Sequence, residues 1–252
     1  MEKYKQMSAL ELPTKYLSFD LEISKVIPGD FSQWKTQRPL GICCAATQCD
    51  GEEPRTWYSR TDQGKFAEKM SREDLQELVK YLSEAVQDGW QIITWNGLGF
   101  DFDVLAEESA CWDICRKLAL EHIDMMFHFF CLKGFTLGLD KAAKGMGLAG
   151  KKPGMSGELV PVLWKSGEFS TVLEYVAQDV VTTLEVARKV VIGHPISWTS
   201  NSGSYQQVGF PNGWLNVVQS LNIELPDTSW MRNPMNREDF YAWTEERSPS
   251  SK

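Results

Sequence analysis

The chain has 252 residues, 42% of them hydrophobic and 24% charged, with a formal net charge of -8. That balance is ordinary globular material with room for one good-sized core. The acidic total argues against indiscriminate binding to nucleic acid, whose affinity comes largely from Lys and Arg, and every apolar run falls short of the roughly 18–20 residues of a membrane span.

Residues 1–13 form a loose lead-in ended by Pro13, with no signal-like apolar segment behind Met1-Glu2-Lys3-Tyr4-Lys5, so a cytoplasmic location is expected. Tyr16-Leu17-Ser18-Phe19-Asp20-Leu21-Glu22-Ile23 then reads as a strand. Its period of two sets Asp20 and Glu22 on one face and Phe19, Leu21 and Ile23 on the other. Two carboxylates this close in an apolar strand raise each other's pKa, unless a divalent cation holds both ionised or the strand is an edge whose acidic face meets water. Both readings stand on the strand alone. Pro28-Gly29-Asp30 opens a loop that runs to Arg38-Pro39. Leu40 to Thr47 is a buried strand, Asp50-Gly51 a turn and Arg55 to Ser59 a third strand, which together predict an antiparallel meander.

Ser71 with Asp74 three residues on resembles a helix N-cap, and Leu75, Leu78, Val79, Leu82, Ala85 and Val86 recur at helical spacing until Gly89. Trp90 to Trp95 is a strand of the kind that follows a crossover helix, parallel to the first. It runs into Asn96-Gly97-Leu98-Gly99-Phe100-Asp101-Phe102-Asp103, a Gly-containing loop and acidic helix start, where an α/β fold places ligands. Val104 to Leu120 is helical, and His122 to Phe130 is an apolar segment of ambiguous type whose histidines read as core or edge groups.

Leu139 to Met146 is a short helix, Gly150-Lys151-Lys152-Pro153-Gly154 a basic loop, and Ser156 a cap for a helix to Lys165. From Lys133 to Lys165 six lysines face two acids, a net +4 inside an acidic protein. The long helix from Ser170 to Val191 has an apolar stripe of Val172, Val176, Val180, Leu184 and Ala187, with Tyr175 and Asp179 sharing its flank. Beyond Gly193 the character changes: Trp198, Trp214, Trp230 and Trp243 lie among Gly, Pro, Asn and Ser. We therefore divide the chain into a main domain, 1–192, and an irregular C-terminal extension, 193–252, with a disordered polar end at 248–252. The tryptophans of the extension either pack or stack on unpaired bases. No C-x-x-C pair occurs among the six cysteines, and Cys111, Cys115, His122 and Cys131 match no zinc module, so reduced thiols are expected.

Read together, Asp20, Glu22, Asp101, Asp179 and Tyr175 make a pattern. It resembles the DEDD superfamily of 3′ to 5′ exonucleases, in the branch whose third motif holds a tyrosine. Phe19-Asp20-Leu21-Glu22 is similar to the first motif, Asn96 through Phe100-Asp101 to the second, and Tyr175-Val176-Ala177-Gln178-Asp179 to the third. The second motif looks most like the proofreading domains of family B DNA polymerases. The histidine branch has His where this chain has Glu174.

The resemblance implies an α/β fold, a ribonuclease H-like mixed sheet flanked by helices, over about residues 14–192. It implies two divalent ions, Mg²⁺ or Mn²⁺, held by Asp20, Glu22, Asp101 and Asp179, with Asp20 bridging both and Tyr175 orienting the attacking water. Asn96 and Phe100 would contact the terminal nucleotides, although a loop-closing Asn and a core Phe are equally open readings. Lys151 and Lys152 would border the strand backbone. Asp103 is then an exposed helix residue and Asp124 structural. Ile23-Ser24 departs from the Thr that many relatives have after the first motif. The implied partner is nucleic acid with a free 3′ end, taken as single-stranded DNA. An RNA or short-oligoribonucleotide exonuclease is the near alternative, and a catalytically silent nucleic-acid-binding adaptor the alternative of another class. No protein partner is legible.

Overall fold

The computed structural model describes residues 15–29, 31–151 and 154–245. The expected lead-in at 1–13 and the polar end at 248–252 lie outside these, as does Lys152.

Strand β1 (Tyr16–Ile23) is followed by a 3₁₀ segment, Phe31–Gln37, and then by β2 (Ile42–Cys49) and β3 (Arg55–Trp57). Helix α1 (Arg72–Gln87) leads to β4 (Gln91–Thr94), a π-helical turn (Gly97–Asp101), α2 (Phe102–Ser109) and α3 (Trp112–Glu121). After β5 (Ile123–Asp124) come α4 (Met125–Lys133), α5 (Leu139–Gly145), α6 (Val160–Lys165) and α7 (Phe169–Val191). The rest forms β6 (Ile196–Thr199), β7 (Tyr205–Val208), α8 (Val217–Leu221) and α9 (Glu238–Glu245).

Five strands make one mixed sheet in the order β3-β2-β1-β4-β5. The meander β1-β2-β3 is antiparallel, while β4 pairs parallel to β1 and β5 parallel to β4. The parallel step follows a crossover helix, as its chirality requires. Ser71 accepts a hydrogen bond from Asp74 N (3.1 Å) and so caps α1. The period of β1 sorts its side chains: Leu17, Phe19, Leu21 and Ile23 pack with Leu75, Leu78, Val79 and Leu82 of α1. On the other face Cys44 and Ala46 of β2 pack with Tyr175, Val176 and Val180 of α7. That face also receives Asp20 and Glu22.

Four expectations need correction. The helix expected over 104–120 is two helices, broken where Ala110 takes a left-handed conformation (φ 60°). The ambiguous segment 122–130 is a two-residue strand that turns into α4, because Asp124 accepts from Phe127 N (3.0 Å) and starts the helix. Ser156 makes no side-chain cap, and a 3₁₀ turn (Gly157–Leu159) intervenes before α6. Asp103 is not exposed: it is buried at 1% and ion-paired with Arg38, which also meets Glu107 (3.1 Å). The chain after the first strand thus folds back and supplies the cation that a buried carboxylate requires.

The extension is packed into the core. Phe240 lies against Phe127 and Phe130, at ring-centroid distances of 5.4 and 4.8 Å. Trp243 is buried and its indole N–H donates to Leu98 O (2.8 Å) inside the π-helical turn. Arg237 donates to the carbonyls of Leu221, Cys131 and Glu224, tying the extension to α4 (3.1–3.2 Å). Trp198 and Trp214 are also buried, so packing accounts for three of the four tryptophans.

All six cysteines are free thiols. No helix among the described residues is long and apolar enough to cross a membrane. Because Trp243 fills the core and braces the turn that carries Asp101, Trp243→Ala is expected to cost about 3–5 kcal/mol, measured as a lowered denaturation midpoint.

Candidate active site

Three segments bring the acidic residues together: β1, the π-helical turn and α7. Asp20 and Glu22 stand at the C-terminal half of β1, the edge of the sheet where α/β folds gather ligands. Asp179 and Tyr175 come from α7, one turn apart on the face turned to the sheet. Carboxylate oxygens of Asp20, Glu22 and Asp179 all lie within 4.8 Å of one another. Asp101 sits beside this trio, at the end of the π-helical turn. It accepts a hydrogen bond from Leu21 N (3.0 Å), between the two acids of β1.

The turn that presents Asp101 is itself held by a carboxylate. Asp124 accepts from Asn96 N (3.0 Å), Leu98 N (2.9 Å) and Phe127 N (3.0 Å), so one side chain fixes both the loop after β4 and the start of α4. Asn96 takes a left-handed conformation (φ 79°), and a Cβ at Gly97 would sit 2.4 Å from Thr94 Oγ1. Only glycine fits there. The π-helical turn leads directly from β4 into α2, and such turns recur at functional sites.

Lys151 enters from the loop after α5. Its Nζ donates to Asp179 Oδ2 (2.7 Å) and to the Tyr175 hydroxyl (2.5 Å), and its backbone N–H donates to Asp140 Oδ1 (2.7 Å). The side chain points into the acidic cluster. Lys152 lies outside the described residues.

The electrostatics follow from crowding. Burial, and then the charges of Asp101 and Asp179, push the Asp20 carboxyl well above the ordinary range. Burial, Asp20, Cys43 and Asp179 do the same to Glu22. Lys151 works against both shifts. Asp101 is raised to about 7, mainly by burial, with the Leu21 N–H opposing and the charges of Asp124 and Asp179 adding. Asp179 is raised by burial and moderated by Lys151 and Tyr175. Burial raises Tyr175, and the neighbouring Asp179 and Glu22 charges add to it. For Lys151 burial opposes the charged form, but Asp179 and Tyr175 outweigh it and the net shift is upward.

Whether these residues suit a divalent ion is decided by their chemistry. Three hard oxygen donors converge within one ion's reach, each repelling the others, and an ammonium group already sits among them. Oxygen donors of this kind fit a hard divalent cation.

A cavity of about 340 Å³ opens on the cluster, and Asn96 and Phe100 line it beside the acids. The sequence reading missed two more of its walls, Phe31 and Trp34. Their rings lie 5.8 and 4.9 Å from Phe100. The available signal was an aromatic pair three apart in the loop directly after the acidic strand. A larger cavity, about 810 Å³, lies between β3 and α1 and is lined by Asp74, Glu77 and Glu84 together with Arg55, Arg60 and Lys80. Its charges are balanced within itself.

The sequence profile of the RNase H superfamily matches residues 57–191, more than half of the chain. None of the curated proteins matches the sequence. Among solved structures, the chain is similar to the family B DNA polymerase from the hyperthermophilic archaeon Pyrobaculum calidifontis, with a TM-score of 0.52 and 18% identity. The match covers 70% of this chain and 24% of that one, so the chain spans about a quarter of the polymerase's length. At that identity the likeness concerns the fold.

The raised carboxyls make a pH prediction. In the absence of divalent metal the folded protein keeps these protons to higher pH than the unfolded chain, so stability falls as pH rises from the ordinary 3.8 of Asp101 through about 7. The thermal midpoint in chelator is expected to be higher at pH 5 than at pH 8. Asp101→Asn should flatten that slope, and Mg²⁺ or Mn²⁺ should raise the midpoint more at pH 8 than at pH 5, all readable by calorimetry.

Proposed function

From a chain that belongs to the RNase H superfamily, we propose a metal-dependent 3′ to 5′ exonuclease that removes nucleotides from single-stranded DNA. The fold supports nuclease activity at the level of the superfamily. The observation that carries the finer reading is the convergence of Asp20, Glu22 and Asp179, with Asp101 beside them and Tyr175 one helical turn from Asp179. These five residues match the tyrosine-branch motif that the sequence resembles.

Asp20, Glu22 and Asp179 would hold one divalent ion, with Asp20 and Asp101 supporting a second. Bound there, the ions would supply Lewis-acid activation of water and stabilisation of charge at the phosphoryl centre and leaving oxygen. The remaining work falls to the chain. The Leu21 N–H fixes the Asp101 carboxylate, which gives the cluster a rigid wall. Tyr175 has its phenol pushed up by burial and by the acids around it, so at neutral pH it keeps its proton. It is a poor base there and serves by donating a hydrogen bond that orients the attacking water. Lys151 holds the Tyr175 oxygen and the Asp179 carboxylate in register and offsets part of the acidic charge. Asn96, Phe100, Phe31 and Trp34 form the wall against which the terminal nucleotide would rest.

The test uses 3′-labelled and 5′-labelled single-stranded DNA and RNA with Mg²⁺, Mn²⁺ or chelator. Stepwise shortening from the 3′ end, dependent on metal and faster on DNA, is expected. Asp20→Ala and Asp179→Ala should abolish it, and Tyr175→Phe should lower kcat by about 10²-fold or more. Shortening that survives Asp20→Ala defeats the mechanism, and faster shortening of RNA moves the substrate to oligoribonucleotides.

A further inference from the structure

Three tryptophans of the C-terminal extension are buried, but Trp230 is 68% exposed. It is nonetheless held in place. Its indole N–H donates to Asp227 O (3.1 Å), and its ring meets Phe135 edge-on at 6.3 Å and 77°. Phe135 in turn packs against buried Trp198 at 6.0 Å. These three rings and Lys133 border a cavity of about 590 Å³, within the size range of small-ligand sites.

A series of lining residues leads from the acids toward this cavity. The catalytic cavity shares Ser32, Trp34 and Asn96 with a neighbour of about 510 Å³. That neighbour reaches Thr136, next in sequence to Phe135 of the aromatic cavity. One loop of the extension borders both, with Met235 in the second and Trp230 in the third. Along it Leu225, Trp230 and Met235 are 73%, 68% and 45% exposed.

We infer that Trp230, Phe135 and Lys133 form a second nucleic-acid contact, which stacks an unpaired base of the strand whose 3′ end lies at the acid cluster. A base has a flat apolar face for the indole and a phosphate within reach of a lysine, and such contacts are tolerant of sequence. The residues that lead from the acidic cavity through Thr136 to Phe135, together with an exposed indole beside a lysine, select a single strand as the occupant. The inference rests on the nuclease reading above and adds to it a site that measures length: short oligonucleotides fill only the catalytic end, and longer ones also reach Trp230.

The test is affinity by fluorescence anisotropy, in excess chelator so that nothing is cleaved, for single-stranded DNA of about two to twelve nucleotides. In the wild type affinity rises with length. Trp230→Ala should cut the gain of long over short strands roughly 5- to 150-fold, while Trp230→Phe, which keeps an aromatic face, retains most of it. The same length dependence in wild type and Trp230→Ala overturns the inference, as does an equal loss in Trp230→Phe. The two readings separate cleanly. Length-dependent binding through Trp230 without 3′ shortening defeats the exonuclease reading alone, and 3′ shortening with Trp230-independent binding defeats this one alone.

Discussion

Four carboxyl groups crowded at one end of a sheet, Glu22, Asp101 and Asp179 buried and Asp20 half-buried, cannot all be ionised without a cation among them. Everything around the cluster answers to that constraint. Asp20, Glu22 and Asp179 converge within 4.8 Å, and burial with mutual repulsion pushes each of them up. A fold that sought only stability would place apolar side chains there, since unpaired buried charge costs several kcal/mol per ion. Lys151 relieves part of the strain, because its ammonium bridges Asp179 and Tyr175. One positive charge among four acids leaves a deficit of the size that divalent ions fill.

The architecture around the cluster is devoted to holding it. The core between β1 and α1 fixes the strand from behind, and α7 crosses the opposite face with Tyr175 and Asp179 turned inward. Asp101 depends on a longer chain of support. Asp124 sets the loop through three backbone N–H groups, Gly97 allows the chain to pass Thr94, and Trp243 of the extension grips Leu98. The last residues of the described chain thus brace a turn that lies more than a hundred positions earlier. The extension is structural at Trp243 and Phe240 and exposed at Trp230, so one segment both completes the core and borders a surface cavity.

What the sequence made legible, and what it hid, follows from the range of the interactions. The alternation of β1, the stripe of α7 and the cap at Ser71 are local patterns, and they placed strand, helix and Asp20, Glu22, Tyr175 and Asp179 without any knowledge of neighbours. The mixed sheet followed from the crossover helix. The motif spacing picked Asp101 over Asp103, but no pattern could show that Asp103 is buried as well. What separates them is that Asp103 meets Arg38, from the loop after β1, whereas Asp101 meets a backbone N–H of β1 itself. The orientation of Lys151 into the cluster depends on how the 147–151 loop returns to α7, which no spacing encodes. The same holds for Phe31 and Trp34, whose loop had to fold onto Phe100 before they became walls of a cavity. The extension was opaque because Gly, Pro and Asn break its periodicity, and its burial comes from contacts with α4 and the π-helical turn.

The central claim is that the acidic cluster is a divalent-metal site. Anomalous diffraction from a crystal soaked in Mn²⁺ tests it most directly. The account predicts a strong peak bounded by the carboxylates of Asp20, Glu22 and Asp179. A crystal that binds Mn²⁺ elsewhere but shows no anomalous density among these three side chains contradicts it.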